Sequence, residues 1–568
     1  LSHGLNSNAL TQNHQFSVSG GTERISAYFS LGYIDEHGMG VGERYQRISP
    51  RLNMEIQATD WLKIGMNSVF NSELTDPGEG LLGNMSGQLP ISQPYDSTGT
   101  FLVFPTGDSQ LKNAMFDEIL NTHEYRTYKF IGSYFAEVAF TKSLKYRFNV
   151  GQEWRHTRTG IYRNAESSAI QPSTLNDATY NQSQRLHYVI DNLLFYNKEF
   201  DAHSIGITLL QSVEATRNEG SNMYVQDLPF DSQLWYYMSS TSDPTYFNLS
   251  SSYNRSQFAS FMGRINYSYL GRYLLTASLR YDGTSYFYET NRWDKFPSAA
   301  ITWKIHEESF MQNINSISQL KLRLGYGTVG QTTGVPYETA GTLSSTQYVF
   351  GDDPAKGWTP DLLQTRDVGW EKTTTTNIGI DFGLFKNRVS GTIELYRANT
   401  HDLLMRRDLP AVTGYDWVRD NVGRTRNQGI EISMNSVNVH TGDFRWETDY
   451  IFTMNREEIV ELADGPYDDV DNRWFIGHPL TSYYNYVYDG IWQISDSATI
   501  DLYNANGNNG FAPGKIRVKD IDENDTIDLR DMTVIGNNVP RFSGGLTNHL
   551  YYKGFELSFF IFFRVGHG

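Results

Sequence analysis

The densest run of side chains able to hold a metal ion is Asp520-Ile-Asp522-Glu-Asn524-Asp-Thr526-Ile-Asp528-Leu-Arg-Asp531. Oxygen ligands at positions one, three, five, nine and twelve, with Thr526 at seven, follow the spacing of a calcium loop, in which alternate side chains converge on a hard cation. Two departures stand out. The usual glycine at position six is Asp525, and position twelve holds Asp531 in place of glutamate. No flanking helix is evident either. These departures favour a solvated acidic turn in an external loop. A Ca²⁺ or Mg²⁺ ion held there would brace the loop and take no part in chemistry.

Other chemistry is harder to place. Gly325-Tyr-Gly327-Thr-Val-Gly330 spells Gly-x-Gly-x-x-Gly, but a dinucleotide site needs a helix straight after a strand within a βαβ unit, and polar sequence follows here. The 13 histidines are scattered. Glu371 and Asp282 tempt a hydrolase reading, which needs two facing carboxylates at a set distance; fixing strand ends and turns is the better expectation for both. With no cysteine, disulfides and thiolate metal sites are excluded. The net charge of −17 argues against a nucleic-acid partner. No enzyme activity is expected.

The elements that must position any site are strands. Leu275, Ala277 and Leu279 alternate with Thr276, Ser278 and Arg280, a period of two with one apolar and one polar face. The segment Phe261 to Tyr269 alternates as well, and Leu270-Gly271-Arg272 joins the two as a tight turn. The same pattern runs through Glu23 to Asp35, Arg51 to Phe70, Phe130 to Val150, His187 to Val213, Asn377 to Tyr396, Gly429 to Met454 and Gly544 to Phe563, roughly 16 to 18 strands. Short turns alternate with long irregular connections, such as Glu73 to Thr122, Ser167 to Arg185 and Gly220 to Asn254. The non-apolar face carries Arg24, Asn53, Glu55, Arg147, Asn149, Arg280, Asp381 and Glu431. A dry sandwich core could not hold so many polar groups, but a wet lumen can.

Composition agrees. Only 39% of the 568 residues are hydrophobic, yet 14% are aromatic, with 37 Tyr and 32 Phe. Lipid-facing barrels place such rings in girdles at both interfaces, and Trp61, Trp303 and Trp446 at strand ends read as such anchors. No apolar run reaches the length of a membrane helix. The expectation is an all-β fold, a large antiparallel transmembrane β-barrel spanning residues 1–568.

The stretch Arg280-Tyr281-Asp282-Gly283-Thr284-Ser285, Phe296-Pro297-Ser298, Trp303 and Lys321-Leu322-Arg323-Leu324-Gly325-Tyr326-Gly327 resembles the mid-barrel of the SusC/RagA family of TonB-dependent outer-membrane transporters. Ser17 to Glu23 is similar to the family's opening hairpin, and Trp370-Glu371-Lys372-Thr373, Asn421-Val422-Gly423, Asn427-Gln428-Gly429-Ile430-Glu431, Ile476-Gly477-His478-Pro479, Asp489-Gly490-Ile491-Trp492-Gln493 and Pro540-Arg541-Phe542 to its later blocks. The resemblance implies about 22 strands in the intact protein, a plug before Leu1 and last strands beyond Gly568. It implies location in the bacterial outer membrane and import of an oligosaccharide or oligopeptide. It also implies a SusD-like surface lipoprotein as lid, and TonB-ExbB-ExbD acting through the plug. Outer-loop aromatics are the candidates for substrate contact, by stacking on sugar rings or packing against the lid: Trp235, Tyr236, Tyr237, Trp358, Trp417 and Trp474. For each, packing within its own loop is an equal expectation. The competing readings are a passive porin-like or adhesin barrel, and a secreted β-rich carbohydrate-binding protein or enzyme.

Overall fold

The computed structural model describes residues 5–80, 92–108, 111–170, 175–241, 243–351, 353–463, 465–507 and 510–566. Two compact units emerge: Leu1–Asn197 with Thr208–Met262 and Gly283–Ser285, and Lys198–Ile207 with Gly263–Asp282 and Tyr286–Gly568. In chain order the strands are β1 (Thr11–Gly21), β2 (Ile25–His37), β3 (Arg44–Gln57), β4 (Leu62–Asp76), β5 (Thr122–Ala139), β6 (Leu144–Arg163), β7 (Asp177–Phe200), β8 (His203–Gln226), β9 (Asn248–Tyr269), β10 (Tyr273–Thr284), β11 (Trp293–Lys304), β12 (Ile317–Gln331), β13 (Thr342–Phe350), β14 (Asp353–Leu362), β15 (Glu371–Leu384), β16 (Val389–His401), β17 (Leu404–Asp408), β18 (Trp417–Asn421), β19 (Arg424–Thr441), β20 (Phe444–Glu461), β21 (Ser482–Tyr486), β22 (Tyr488–Ile491), β23 (Ile516–Val518), β24 (Met532–Asn537), β25 (Phe542–Tyr552) and β26 (Phe555–Val565). Among the described residues no helix is long and apolar enough to cross a membrane.

In the first unit β1 to β7 form an antiparallel meander, each strand pairing with the next. In the second unit β11, β12, β15, β16, β19, β20, β25 and β26 do the same. Among the described residues eighteen strands carry this long-ladder pairing. The register explains why the alternation was legible. In the second unit Ile301, Leu324, Ile378, Leu395, Ile430 and Met454 stand opposite one another across six neighbouring strands. In the first unit Val18, Phe29 and Leu52 do so, and Ile56, Ile64 and Ala136. Register is this strongly specified only where one face must be apolar throughout, because a slip by one residue would turn every side chain over. Most of these apolar residues are exposed, Leu395 at 49% and Leu324 at 44%, and Ile56, Ala136, Ile430 and Met454 are half-buried. A continuous exposed apolar band is what a lipid-facing surface requires.

The strands run further than the alternation indicated. β6 continues to Arg163, β7 begins at Asp177 inside a stretch expected to be irregular, and β8 reaches Gln226. With 24 residues, β7 spans about 80 Å, whereas some 9–11 residues cross a bilayer. Beyond the lipid both faces meet water, so period two fades while the ladder goes on. The Gly-x-Gly-x-x-Gly run lies wholly inside β12, which continues to Gln331 where polar loop sequence is expected after Tyr326, so the run opens no helix. The long connection after β4 carries a short helical turn at Asp117–Leu120, and its residues 81–91 and 109–110 lie outside the described residues.

The short turns are built as expected. Leu270 and Gly271 both take left-handed backbone between β9 and β10, with φ of 54° and 70°, the geometry that matches strand twist in a two-residue hairpin. Trp61 sits in the β3–β4 turn. Trp303 Nε1 donates to Glu308 at 2.9 Å, and Trp446 Nε1 to Asn548 at 2.9 Å. Each of these two rings lies at a strand end with its polar edge satisfied, as an interfacial tryptophan should.

Candidate functional site

The polar face of the second unit is a built surface. Arg323 on β12 donates from Nε and Nη2 to Asp381 Oδ1 at 3.0 and 2.8 Å, and from Nη2 to Glu394 at 2.5 Å. Asn377 Nδ2 reaches the same Glu394 at 3.2 Å. Gly379 stands opposite Arg323. A Cβ there would lie 2.9 Å from the guanidinium, so the missing side chain lets the arginine lie flat across the strand. Charged, hydrogen-bonded and half-exposed, this face is a wall for water and hydrated solutes. Asp282 accepts from Arg280 Nε at 2.7 Å, and Glu371 from the Leu404 N–H at 3.1 Å. Both carboxylates hold strand ends.

The acidic loop folds as a compact turn within an excursion between β20 and β25 that holds β21 to β24. Oxygen atoms of Asp520, Asp522 and Asp531 lie within 4.8 Å of one another. Asn524, Thr526 and Asp528 stay outside that trio. Asn524 Nδ2 donates to Asp522 at 2.9 Å and its own oxygen accepts from the Thr526 N–H at 2.8 Å, while Asp528 pairs with Arg530. Asp525, at the glycine position, takes φ of 60°, the left-handed turn a calcium loop needs there. A helix that the sequence did not reveal, Ser497–Gly507, braces the loop. Tyr503 Oη donates to Asp520 at 3.1 Å and Asn506 Nδ2 to the Asp525 carbonyl at 3.1 Å. Burial works against ionisation of Asp520. The hydrogen bonds from Tyr503 and from the N–H groups of Asp525, Asn524 and Glu523 outweigh it and hold the carboxyl below its usual range. Burial and the Asp520 contact push the Tyr503 phenol up to about 12.

Asp531 is fully buried and accepts the N–H groups of Ile521 and Asp528, both at 2.8 Å. Replacing Asp531 with alanine leaves both donors without a partner, a loss of about 1–3 kcal/mol from the loop. The expected outcome is rapid protease cleavage between 519 and 531 in the variant and slow cleavage in the parent.

The six aromatic candidates fall in four places, with Trp235, Tyr236 and Tyr237 together between β8 and β9. Trp235 is 4% exposed and packs with Tyr162, Ala178, Val225 and Leu228, so it takes the loop-core role. Its neighbours Tyr236 and Tyr237 are exposed. In the second unit Trp358, 69% exposed, stands on the β13–β14 hairpin. Trp417 on β18 has the guanidiniums of Arg406 and Arg419 over its ring at 5.2 and 5.5 Å. Trp474 joins a backbone bridge with Asp469. Among the described residues no ring contact joins any two of Trp358, Trp417 and Trp474.

One cluster had no sequence signal, because its members are distant in the chain. Asp76 at the end of β4, Glu79 and Glu118 gather beside His123, whose Nε2 is 3.6 Å from Glu79. The Glu118 carboxylate lies against Gly42, where a Cβ would collide with it. Burial, reinforced by Asp76 and Glu79, pushes Glu118 up to about 7. A carboxyl raised in the folded state stabilises fully below its unfolded value, and that contribution is lost as pH rises through the folded one. Protease protection of residues 111–121 should therefore fall between about pH 5 and about pH 8, and Glu118→Gln should weaken that dependence, with Glu79, also raised by burial, carrying the remainder.

Long antiparallel strands with one apolar and one polar face form the wall of an outer-membrane β-barrel. A family model described as TonB dependent receptor-like, beta-barrel matches residues 73–562, and the chain belongs to that family. TonB-dependent receptor P3 of Formosa agariphila is 28% identical over 586 residues, covering 98% of this chain and 57% of the relative. TonB-dependent receptor SusC of Bacteroides thetaiotaomicron is 27% identical over 597 residues, covering 97% and 57%. The chain thus spans little more than half the length of these curated relatives. Among solved structures, the RagAB peptide transporter superposes with a TM-score of 0.80 at 22% identity over 98% of this chain and 62% of that one, a likeness of fold. The chain is a TonB-dependent receptor-like β-barrel wall of an outer-membrane protein, similar in sequence to SusC and in fold to the RagAB transporter.

Proposed function

We propose that the whole protein imports a large nutrient, an oligosaccharide or oligopeptide, across the outer membrane as the SusC-like channel of a SusCD-type complex. The observation that supports this most is the family match over residues 73–562 on strands whose non-lipid face is polar, as the Arg323–Asp381–Glu394 network illustrates. A hydrated solute can pass such a wall, and a dry protein core could not contain it. Substrate would enter at the outer mouth beneath a SusD-like lipoprotein, and TonB-ExbB-ExbD would drive opening through a plug. Exposed Trp358, Tyr236 and Tyr237 are offered as contacts for sugar rings or for the lid.

The test is purification of the full-length protein from outer membranes in mild detergent, with partners identified by mass spectrometry. A stoichiometric surface lipoprotein and loss of uptake without TonB are the expected results. Uptake that persists without TonB would instead assign a passive channel.

The acidic loop carries a structural addition to this reading. Asp520, Asp522 and Asp531 would hold a Ca²⁺ ion that braces the excursion between β20 and β25, supported by the left-handed turn at Asp525. Ca²⁺ added to the chelator-treated full-length protein should slow cleavage of this loop. An unchanged cleavage rate would leave it a self-braced turn.

A further inference from the structure

The polar wall of the first unit has a sign of its own. Lys129 on β5, Arg155 on β6 and Arg185 on β7 stand directly opposite one another. Like charges facing across a ladder destabilise it, so a row of three is unfavourable unless something anionic faces it. The protein supplies little. Glu153 is shared, with one oxygen 3.7 Å from Lys129 Nζ and 3.3 Å from Arg155 Nη2. Among the described residues the Arg185 side chain has no ion pair or hydrogen bond.

The row continues into a recess. Asn71 on β4 stands opposite Lys129 and also lines a cavity of about 360 Å³ with Arg47 and Arg51 of β3. The Arg51 side chain likewise has no ion pair or hydrogen bond among the described residues, and the buried Nε of Arg47 has no partner. Glu73, opposite Arg47, is the second carboxylate of the strip. Five cations thus face two carboxylates in a chain whose net charge is −17.

We infer that this strip, Arg47 and Arg51 through Lys129 to Arg155 and Arg185, binds the carboxylate or sulfate groups of an acidic oligomeric solute. This rests on the import reading and adds a substrate class to it. Four of the five cations are arginines, whose planar forks bind such oxyanions with two parallel hydrogen bonds. The strands hold them in a line, so that successive anionic groups of one oligomer can be met in turn. Screening by the few carboxylates present is too small to cancel the field of the strip.

The experiment measures binding of oligogalacturonate and of neutral maltohexaose to the full-length protein in detergent, for the parent and for Arg155→Gln/Arg185→Gln. The parent should prefer oligogalacturonate, and the double variant should bind it about tenfold more weakly, as expected for losing charge-assisted pairs. Maltohexaose binding should not change. Equal parent affinity for the two oligomers would overturn the inference. So would a double variant that is less heat-stable but binds oligogalacturonate as the parent does, because the strip would then serve an acidic segment of the protein's own chain. TonB-dependent uptake is scored separately in cells. Its persistence alongside a failed binding preference rejects only the anion strip, whereas its absence in the parent rejects the import reading.

Discussion

Replacing Leu395 with arginine should lower the folding free energy of the full-length protein in lipid vesicles by about 2–4 kcal/mol. Leu395 faces Ile378 on one side and Ile430 on the other, in the middle of the apolar row of the second unit. It lies six residues beyond the start of β16 at Val389, about 20 Å along the strand. On a tilted strand that places it close to the centre of an apolar band about 25 Å tall, where a cation has neither water nor a partner. Thr392 provides the control. It lies on the opposite face, with Asp381 across the ladder, so Thr392→Arg gains a carboxylate neighbour and keeps its water. Its expected effect is under about 1 kcal/mol. Denaturant-dependent folding into vesicles measures both. Equal losses would mean that the two faces see the same solvent, and the barrel reading would fall with them.

Trp235→Ala should destabilise the outer part of the first unit by about 3–5 kcal/mol, the range for emptying the site of a large buried aromatic. The indole fills the space between Tyr162, Ala178, Val225 and Leu228, all buried. Gly160 shows how tightly it fits, since a Cβ there would lie 2.2 Å from the ring. Gly160→Ala alone should therefore cost about 1–3 kcal/mol by overpacking. Combined with Trp235→Ala it should cost less than the sum, because the added methyl enters the vacated space. Hydrogen exchange across 225–238 reads the effect locally. Unchanged protection in Trp235→Ala, with weaker nutrient binding, would return this residue to the substrate-contact set.

The sequence alone determined the two-faced strands, the short turns and, through the resemblance, the family. Those properties are local or periodic. Alternation in Leu275 to Arg280 needs no knowledge of a partner strand, and Leu270-Gly271 adopts left-handed backbone wherever two strands must reverse within two residues. The tertiary structure decided the rest. Strand ends such as those of β7 and β8 were hidden because alternation stops where lipid stops, while hydrogen bonding to a neighbouring strand does not. The helix Ser497–Gly507 was hidden because it has no marked apolar stripe to signal it, and its role emerges only when Tyr503 meets Asp520. The fate of Trp235 was undecidable between loop core and ligand contact until Val225 and Tyr162 closed over it. Glu118 has no signal in the sequence because Asp76, Glu79 and Gly42 approach it only after folding. Lys129, Arg155 and Arg185 are unremarkable in three separate segments, and only the register of β5, β6 and β7 sets them side by side. A charge acquires its meaning from the charges it is forced to face, and register does the forcing.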